Sequence, residues 1–247
     1  MKVHAPRESA HLLENKKEVP ATFDKIARRY NLATSLSQGY SIDLQRSVRL
    51  MQLKGNEAIL DLCCGTGKST LQCLEAVPRG EVLAIDNSSE MLQIARETVG
   101  NRFPAGRCRF QQADVMELDL PGNSADAIFM AYGLRNMPDY RICLNNLWRI
   151  LKPGGVLAIH EFSLVDSVFS RFYWRLLGYG LIIPFSAIIT GNVTIFSYLI
   201  KSVLSFLSPA DLQKMLSDTG FYNISVHPQR SWRRFILFTF IAHKPLA

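Results

Sequence analysis

The chain has 247 residues, of which 48% are hydrophobic and 20% are charged. These values are ordinary for a globular protein with a full core, and one domain with an embellishment fits the length better than two domains. The net charge of +7 favours anionic partners, either nucleic acid or an acidic membrane surface, and does not choose between these two classes.

Cysteine and histidine spacing argues against a disulfide framework and against a metal site. The five cysteines form no C-x-x-C pair, which is typical of reduced thiols in a cytosolic protein. His160-Glu161 begins like H-E-x-x-H, but Leu164 stands where the second histidine is required. Residues 1–20 lack the apolar run of a secretory signal and are predicted to form a flexible arm. We therefore expect a cytoplasmic protein.

Hydrophobic periodicity predicts alternating strands and helices after an N-terminal helical region. Apolar residues recur at helical spacing across 21–53, which predicts two or three helices. Strands are predicted at 57–63, 81–88, 108–115, 125–134 and 156–163, and helices at 69–77, 89–100 and 138–155. This alternation predicts an α/β fold with a doubly wound, mostly parallel sheet, in a single domain over 21–247.

The stretch DLCCGTGKST at residues 61–70 ends like a phosphate-binding P-loop. That motif, G-x-x-x-x-G-K-[ST], needs a glycine five residues before Gly67, because this glycine opens the turn around the phosphate. Leu62 stands at that position, so the spacing excludes a P-loop.

A different ligand pattern surrounds the same loop. Asp61, Gly65 and Gly67 form D-x-x-x-G-x-G directly after the first strand, and Asp86 ends the second strand. Glycines allow a ligand to approach the backbone closely, and an acidic residue at the second strand end accepts hydrogen bonds from ribose hydroxyls. NAD and S-adenosylmethionine both fit. S-adenosylmethionine is favoured because the loop lacks the third glycine of a pyrophosphate site, and because acidic groups at three strand ends, including Asp114, suit a cation.

Several motifs together resemble the class I methyltransferases that C-methylate the quinone ring in menaquinone and ubiquinone biosynthesis. They are LDLCCGTGKST, LAIDNSSEMLQIAR, YGLRNMPDY and LWRILKPGGVL, followed by EFS. The match is good over residues 20–165, and its most specific part is the YGLRN stretch. FDKIARRYN resembles the N-terminal helix with which that family closes its site, so residues 21–53 are expected to form a helical lid.

The resemblance implies S-adenosylmethionine as the cofactor, with Thr66 in the glycine loop, Asp86 at the ribose and Asp114-Val115 at the adenine. The family often has a serine where this chain has Ala131. Together with the loop pattern, the predicted cofactor-binding residues are Asp61, Gly65, Thr66, Gly67, Asp86, Asn87, Asp114, Val115 and Ala131.

The family reaction is methyl transfer to a ring carbon of a reduced, hydroxylated quinone. The resemblance therefore implies a polyprenyl quinol substrate, demethylmenaquinol above all or the benzoquinol of the ubiquinone pathway. Arg135 and Asn136 are predicted to be catalytic by steadying a phenolate or positioning a water, and Tyr30 by bonding a quinol oxygen. A structural salt bridge is the alternative for Arg135, and packing in the lid is the alternative for Tyr30. The predicted substrate-binding residues are Tyr132, Phe162 and Tyr198.

The segment 165–207 is predicted to be a hydrophobic flap, since the 25 residues from 176 to 200 carry no charge. Glycines and Pro184 interrupt this run, and before it Arg171 and Arg175 flank the aromatic residues Phe172, Tyr173 and Trp174, a mixture suited to a membrane interface. This pattern favours a segment that lies on a membrane surface over a spanning helix or a buried hairpin. The expected partners are a membrane-embedded quinol and the anionic surface of the inner membrane, with peripheral association. A homodimer stays open, and no nucleic-acid partner is expected.

Two other functions stay open. One is a methyltransferase for another lipid or small molecule, such as a sterol, a tocopherol-type phenol or a phospholipid amine. The other is a non-catalytic cofactor-binding partner in quinone synthesis, because the segment matching 189–200 lacks the acidic residues usual in the family. Nucleic-acid methylation is disfavoured, because Tyr132-Gly-Leu-Arg replaces an N-P-P-[YF] element at the end of the fourth strand.

Overall fold

A computed structural model describes residues 38–184 and 194–246, and the predicted arm, most of the predicted lid and Tyr30 lie outside these ranges. The helices α1 to α7 span Gln38–Leu50, Lys68–Ala76, Ser89–Gly100, Tyr140–Ile150, Val168–Leu177, Thr194–Ser205 and Pro209–Asp218. The strands β1 to β7 span Ala58–Leu62, Glu81–Asp86, Cys108–Gln112, Ala125–Ala131, Leu151–Phe162, Tyr222–Pro228 and Leu237–His243. Short helical turns lie at Val115–Glu117, Leu134–Asn136, Gly178–Ile182 and Ser231–Phe235.

The seven strands form one sheet in the order β3-β2-β1-β4-β5-β7-β6. All neighbours are parallel except β7, which runs antiparallel to both β5 and β6. The predicted doubly wound, mostly parallel α/β fold is confirmed. Strand order reverses between β1 and β4, and ligands of such sheets bind outside the carboxyl ends of the strands at this switch point.

Helix and strand boundaries follow local signals closely in the first half of the sheet. The helix α3 begins after Ser88, whose hydroxyl accepts a hydrogen bond from the Met91 backbone N–H at 3.0 Å. The helix predicted at 138–155 ends earlier, at Ile150, because Leu151 already begins the long strand β5. The Pro-Gly-Gly stretch after it therefore belongs to the start of β5.

A separate small core, which we call the α5–α6 lobe core, lies beyond the end of β5. Its buried members come from four parts of the chain: Leu164, Trp174, Ile200, Val203, Ile236 and Leu237. The Trp174 side chain is only 1% exposed, and its indole N–H donates to the Ile200 carbonyl oxygen at 3.1 Å. In the described part of the expected flap, the helices α5 and α6 thus pack on each other around this tryptophan. None of the described helices is long and apolar enough to cross a membrane.

Candidate functional site

A cavity of about 480 Å³ lies at the carboxyl ends of β1, β2 and β4, where the strand order reverses. Predicted site residues from the glycine loop, from the second and third strand ends and from the YGLRN stretch meet in its lining. They are Gly65, Thr66, Asp86, Asn87, Asp114, Val115, Ala131, Tyr132, Arg135 and Asn136. One cavity therefore collects residues that the sequence places on four separate segments.

The Asp86 carboxylate ties the glycine loop to the end of β2. One oxygen, Oδ2, accepts the Gly65 backbone N–H at 2.8 Å, and the other, Oδ1, accepts the Ser88 backbone N–H at 3.0 Å. A carboxylate has about four acceptor positions, which is more than these two backbone groups use. Asp86 also lines the cavity. It is therefore placed to receive the hydroxyl pair of a ribose while it holds the loop.

The two loop glycines have different structural roles. Gly65 has φ +53°, and a Cβ added there would meet no atom within 4 Å, so its open side offers room for a ligand. Gly67 has φ +82°, and a Cβ there would lie 3.0 Å from the Ala95 Cα in α3. Gly67 thus allows close packing of the loop on α3, and it is not among the cavity-lining residues.

Asp61 lies beneath the loop, fully buried, and is not among the cavity-lining residues either. Its Oδ2 accepts hydrogen bonds from the Ser69 hydroxyl at 2.9 Å and the Thr70 hydroxyl at 2.7 Å. The Ser-Thr pair that looked like the end of a P-loop therefore fixes the start of α2 to β1. Cofactor binding by Asp61 and Gly67 stays a prediction.

Burial raises the pKa of the Asp61 carboxyl from 3.8 to about 7, against the opposing effect of the two hydroxyl donors. The folded state therefore binds more protons than the unfolded chain between these two pH values. The extra proton binding stabilises the folded state. This stabilisation is present in full below pH 3.8 and is lost as the pH rises through about 7. It amounts to on the order of 4 kcal/mol.

We expect the Asp61→Asn variant to lose this pH dependence, because an amide cannot titrate and still accepts both hydroxyl bonds. Urea unfolding of wild type and variant between acid and weakly alkaline pH measures the difference. Asp119→Asn, at an exposed carboxylate, is the matched control and should follow the wild type. Parallel pH profiles for wild type and Asp61→Asn would show that Asp61 titrates alike in both states.

The third strand end supplies a short capped turn. Asp114 Oδ1 accepts the Met116 backbone N–H at 2.9 Å and so starts the Val115–Glu117 turn. The Gln112 side-chain amide donates to the Asn87 carbonyl oxygen at 3.0 Å, which joins this segment to the one after β2. Asn87, Asp114 and Val115 consequently form one wall of the cavity. This wall suits the flat, hydrogen-bonding edge of an adenine.

The opposite wall depends on a buried ion pair. The Arg135 guanidinium pairs with the Glu161 carboxylate, and its Nε donates to the Ser202 hydroxyl at 3.0 Å. The Arg135 backbone N–H also donates to Glu161 Oε2 at 3.2 Å. These contacts anchor the Leu134–Asn136 turn to β5 and α6. Arg135 borders the cavity, but its charge is directed at Glu161, as the structural alternative for this residue expected.

Asn136 is held on both sides of its amide. Its Nδ2 donates to the Tyr132 carbonyl oxygen at 3.1 Å, and its Oδ1 accepts the Tyr198 hydroxyl at 3.2 Å. Burial raises the pKa of Tyr198 to about 12, so this phenol is a neutral donor. Tyr198 is not among the cavity-lining residues but fixes one that is.

Tyr132 adopts φ +57° and directs its hydroxyl away from the backbone turn toward His160 Nε2, at 3.0 Å. His160 Nδ1 in turn contacts the hydroxyls of Ser47 at 2.9 Å and Thr239 at 3.1 Å. Burial lowers the pKa of His160 to about 3, with a smaller effect from nearby arginines, so the ring is neutral. Sequence reasoning missed this network, because its members come from α1, β5, β7 and the turn after β4.

A series of packed aromatic rings leads from the cavity wall to the α5–α6 lobe core. The Tyr40 and Tyr132 rings stack with centroids 5.4 Å apart, and both residues line the cavity. Phe162 packs 5.3 Å from the Tyr132 ring and 5.3 Å from the Trp174 ring. Phe162 is outside the cavity lining and connects that wall to the α5–α6 lobe core. Tyr40 was not predicted, because the helical pattern of 21–53 does not mark which residue faces a ligand.

Comparison with known proteins gives consistent matches. A family model described as the ubiE/COQ5 methyltransferase family matches residues 11–231. A demethylmenaquinone methyltransferase of Staphylococcus aureus (strain JH9) is 30% identical over 217 residues, which cover 86% of this chain and 88% of the relative. The [4+2]-cyclase SpnF has a TM-score of 0.72 at 16% identity, covering 94% of this chain and 97% of its own. Haemonchus contortus phosphoethanolamine N-methyltransferase 2 in complex with S-adenosyl-L-methionine has a TM-score of 0.60 at 16% identity, and the match covers 81% of this chain and 52% of that one.

Proposed function

Since the chain belongs to the ubiE/COQ5 methyltransferase family, we propose that it methylates a ring carbon of a reduced polyprenyl quinol, demethylmenaquinol above all. Family membership confirms the predicted methyltransferase activity and S-adenosylmethionine as the methyl donor. The acceptor is the proposed part. Its main support is the combination of a relative named for demethylmenaquinone with a cavity wall built from the stacked rings of Tyr40 and Tyr132.

The residues that line the cavity supply donor and acceptor groups that match those of S-adenosylmethionine. The open side of Gly65 would take the methionine portion, Asp86 would accept the ribose hydroxyls, and Asp114 with Val115 would hold the adenine. The carboxylates of Asp86 and Asp114 suit a cation, since opposite charge in a partly buried site stabilises it. In this proposal the cofactor would lie along the carboxyl ends of β1, β2 and β3.

The Asp86→Ala variant should bind S-adenosylmethionine more weakly by about 1.5–3 kcal/mol, because hydrogen bonds to a charged acceptor are lost. Isothermal titration calorimetry measures this directly. Asp139→Ala is a matched control: Asp139 also accepts two backbone N–H groups, at 2.8 and 3.1 Å, but caps α4 outside the cavity lining. Equal affinity losses in the two folded variants would remove Asp86 from the cofactor site.

Bound S-adenosylmethionine supplies an electrophilic methyl group on a sulfonium, so the protein has to align the acceptor, exclude water and help a ring proton leave. Tyr40 and Tyr132 offer aromatic faces on which a quinol ring can stack. The Asn136 side-chain amide uses one N–H to donate to the Tyr132 carbonyl oxygen. Its second N–H can donate to a quinol oxygen as that oxygen gains negative charge. Arg135 acts as a positioning residue, because it fixes the turn that carries Asn136.

The proposal is tested by supplying the purified protein with S-adenosylmethionine and a panel of acceptors, each reduced and oxidised. The panel contains a demethylmenaquinol, the ubiquinone-pathway benzoquinol, a tocopherol-type phenol and a phospholipid amine. Mass spectrometry should find a methylated ring carbon in the reduced quinol and none in the oxidised quinone, because only the quinol is nucleophilic at carbon. Methylation of the phenol or the amine alone would show that the acceptor is not a quinol. Cofactor binding without turnover on any acceptor would favour the non-catalytic partner.

A further inference from the structure

The helix α5 has two apolar faces that point in opposite directions. Ser170 and Trp174 face inward, and Trp174 sits in the α5–α6 lobe core. On the other side, Val168 is 86% exposed, Phe172 is 62% exposed and Leu176 is 60% exposed. These three residues are spaced four apart, so they form one stripe along the helix. A continuous exposed stripe of large apolar side chains marks an interaction surface.

A second segment, distant in sequence, extends this stripe. The ring of Phe169, which is also exposed, packs edge-on against the ring of Phe235 with centroids 6.2 Å apart. Phe235 ends the Ser231–Phe235 turn, which also carries the half-exposed Trp232. We call the α5 stripe together with this turn the outer face. The fold therefore joins an aliphatic–aromatic helix to a tryptophan-bearing turn.

The charges on the outer face have one dominant sign. Residues 165–182 and 230–235 carry five arginines and a single acidic residue, Asp166. Arg171, Arg175 and Arg230 are exposed, whereas Arg233 is paired with Asp43 at 3.0 Å. Two copies of the chain would repel each other here, because the same basic surface would meet itself. Large apolar side chains, a tryptophan and surrounding arginines match the interface of an anionic lipid bilayer.

We propose that the outer face docks the protein on an anionic bilayer surface. The α5 stripe enters the boundary between headgroups and acyl chains, and the arginines contact lipid phosphates. Trp174 remains inside the lobe core and takes no part in the docking. The surface does not depend on which acceptor is methylated. Phe162 connects this lobe to the cavity wall at Tyr132, so docking would bring the catalytic cavity close to substrates held in the bilayer.

The experiment measures partitioning of the purified chain between water and sedimenting vesicles. One vesicle type is phosphatidylcholine alone, and the other contains phosphatidylglycerol as well. Wild type should prefer the anionic vesicles and lose that preference as salt rises, because salt screens the arginines. Arg175→Gln with Arg230→Gln should weaken anionic binding on the order of 25-fold at low salt, since each basic residue near the surface adds about fivefold. Phe172→Ser with Leu176→Ser should weaken binding to both vesicle types about tenfold or more.

Matched controls separate docking from general effects. Ile142→Ser removes an apolar side chain of similar exposure, 51%, from α4, and Arg102→Gln with Arg109→Gln removes two exposed arginines elsewhere. These controls should bind vesicles like the wild type, and circular dichroism should show every variant folded. The proposal would be overturned if the wild type bound neither vesicle type, or if the controls weakened binding as much as the outer-face variants. A wild-type dimer that Phe172→Ser with Leu176→Ser dissociates, without vesicle binding, would assign the face to a second copy instead.

Discussion

Replacing Arg135 with alanine is expected to lower the free energy of unfolding by about 3–5 kcal/mol, the cost of leaving a buried charge without its partner. The Glu161 side chain is fully buried, and the variant would deprive it of the guanidinium while the Ser202 hydroxyl also loses its donor. Urea unfolding monitored by circular dichroism measures the change. Activity loss in this variant would not by itself identify a catalytic residue.

The matched comparison is a double variant, Arg135→Met with Glu161→Gln, which removes both charges and keeps one of the two side-chain oxygens that accept the residue 135 and Phe162 backbone N–H groups. It should recover most of the lost stability, because no uncompensated charge remains. Turnover at saturating cofactor should return in part if Arg135 positions the Asn136 turn. A double variant that is stable and binds cofactor but lacks all turnover would make the Arg135 charge itself part of the reaction. A single variant as stable as wild type would refute the structural role.

The fold could be predicted because each strand–helix unit carries its own local signal. The helix predicted at 89–100 is observed as Ser89–Gly100, with the N-cap at Ser88, because a capping serine and helical periodicity lie within one short stretch. The helix predicted at 138–155 is too long, because Leu151 fits the apolar pattern of either a helix or a strand. Pairing with β4 decides in favour of the strand, and that information is not local.

The candidate site could be predicted only where its residues follow strand ends. Gly65 follows the first predicted strand and Asp86 lies at the end of the second, and parallel strands bring those ends together. The partner of Arg135 could not be read in the same way, since Glu161 and Ser202 lie 26 and 67 positions further along. Ser47 and His160 are 113 positions apart. A single sequence contains no sign that such residues meet.

Replacing Trp174 with alanine is expected to destabilise the protein by about 3–5 kcal/mol, the range for removing a large buried aromatic side chain. Trp174 fills the α5–α6 lobe core, packs against Phe162 and donates a hydrogen bond to the Ile200 carbonyl oxygen. The sequence grouped Trp174 with its aromatic neighbours as a membrane-facing cluster. That grouping is wrong for this residue, because the packing of α6 turns it inward. Trp174→Phe should lose less stability than Trp174→Ala, since it keeps most of the side-chain volume, although it removes the N–H donor.

Phe172→Ala is the matched control for this change, because it removes an aromatic ring two residues away on the exposed side of the same helix. Its stability should stay within about 0.5 kcal/mol of the wild type, as for most surface substitutions. Phe172→Ala should therefore weaken vesicle binding in a protein that remains stable. Trp174→Ala should instead destabilise the α5–α6 lobe core. Urea unfolding by circular dichroism, with hydrogen exchange of the α5 and α6 amides, measures the stability of both variants, and vesicle sedimentation measures their binding. If Trp174→Ala is as stable as Phe172→Ala, or if its α5 and α6 amides stay as protected as in the wild type, then Trp174 does not hold the two helices together.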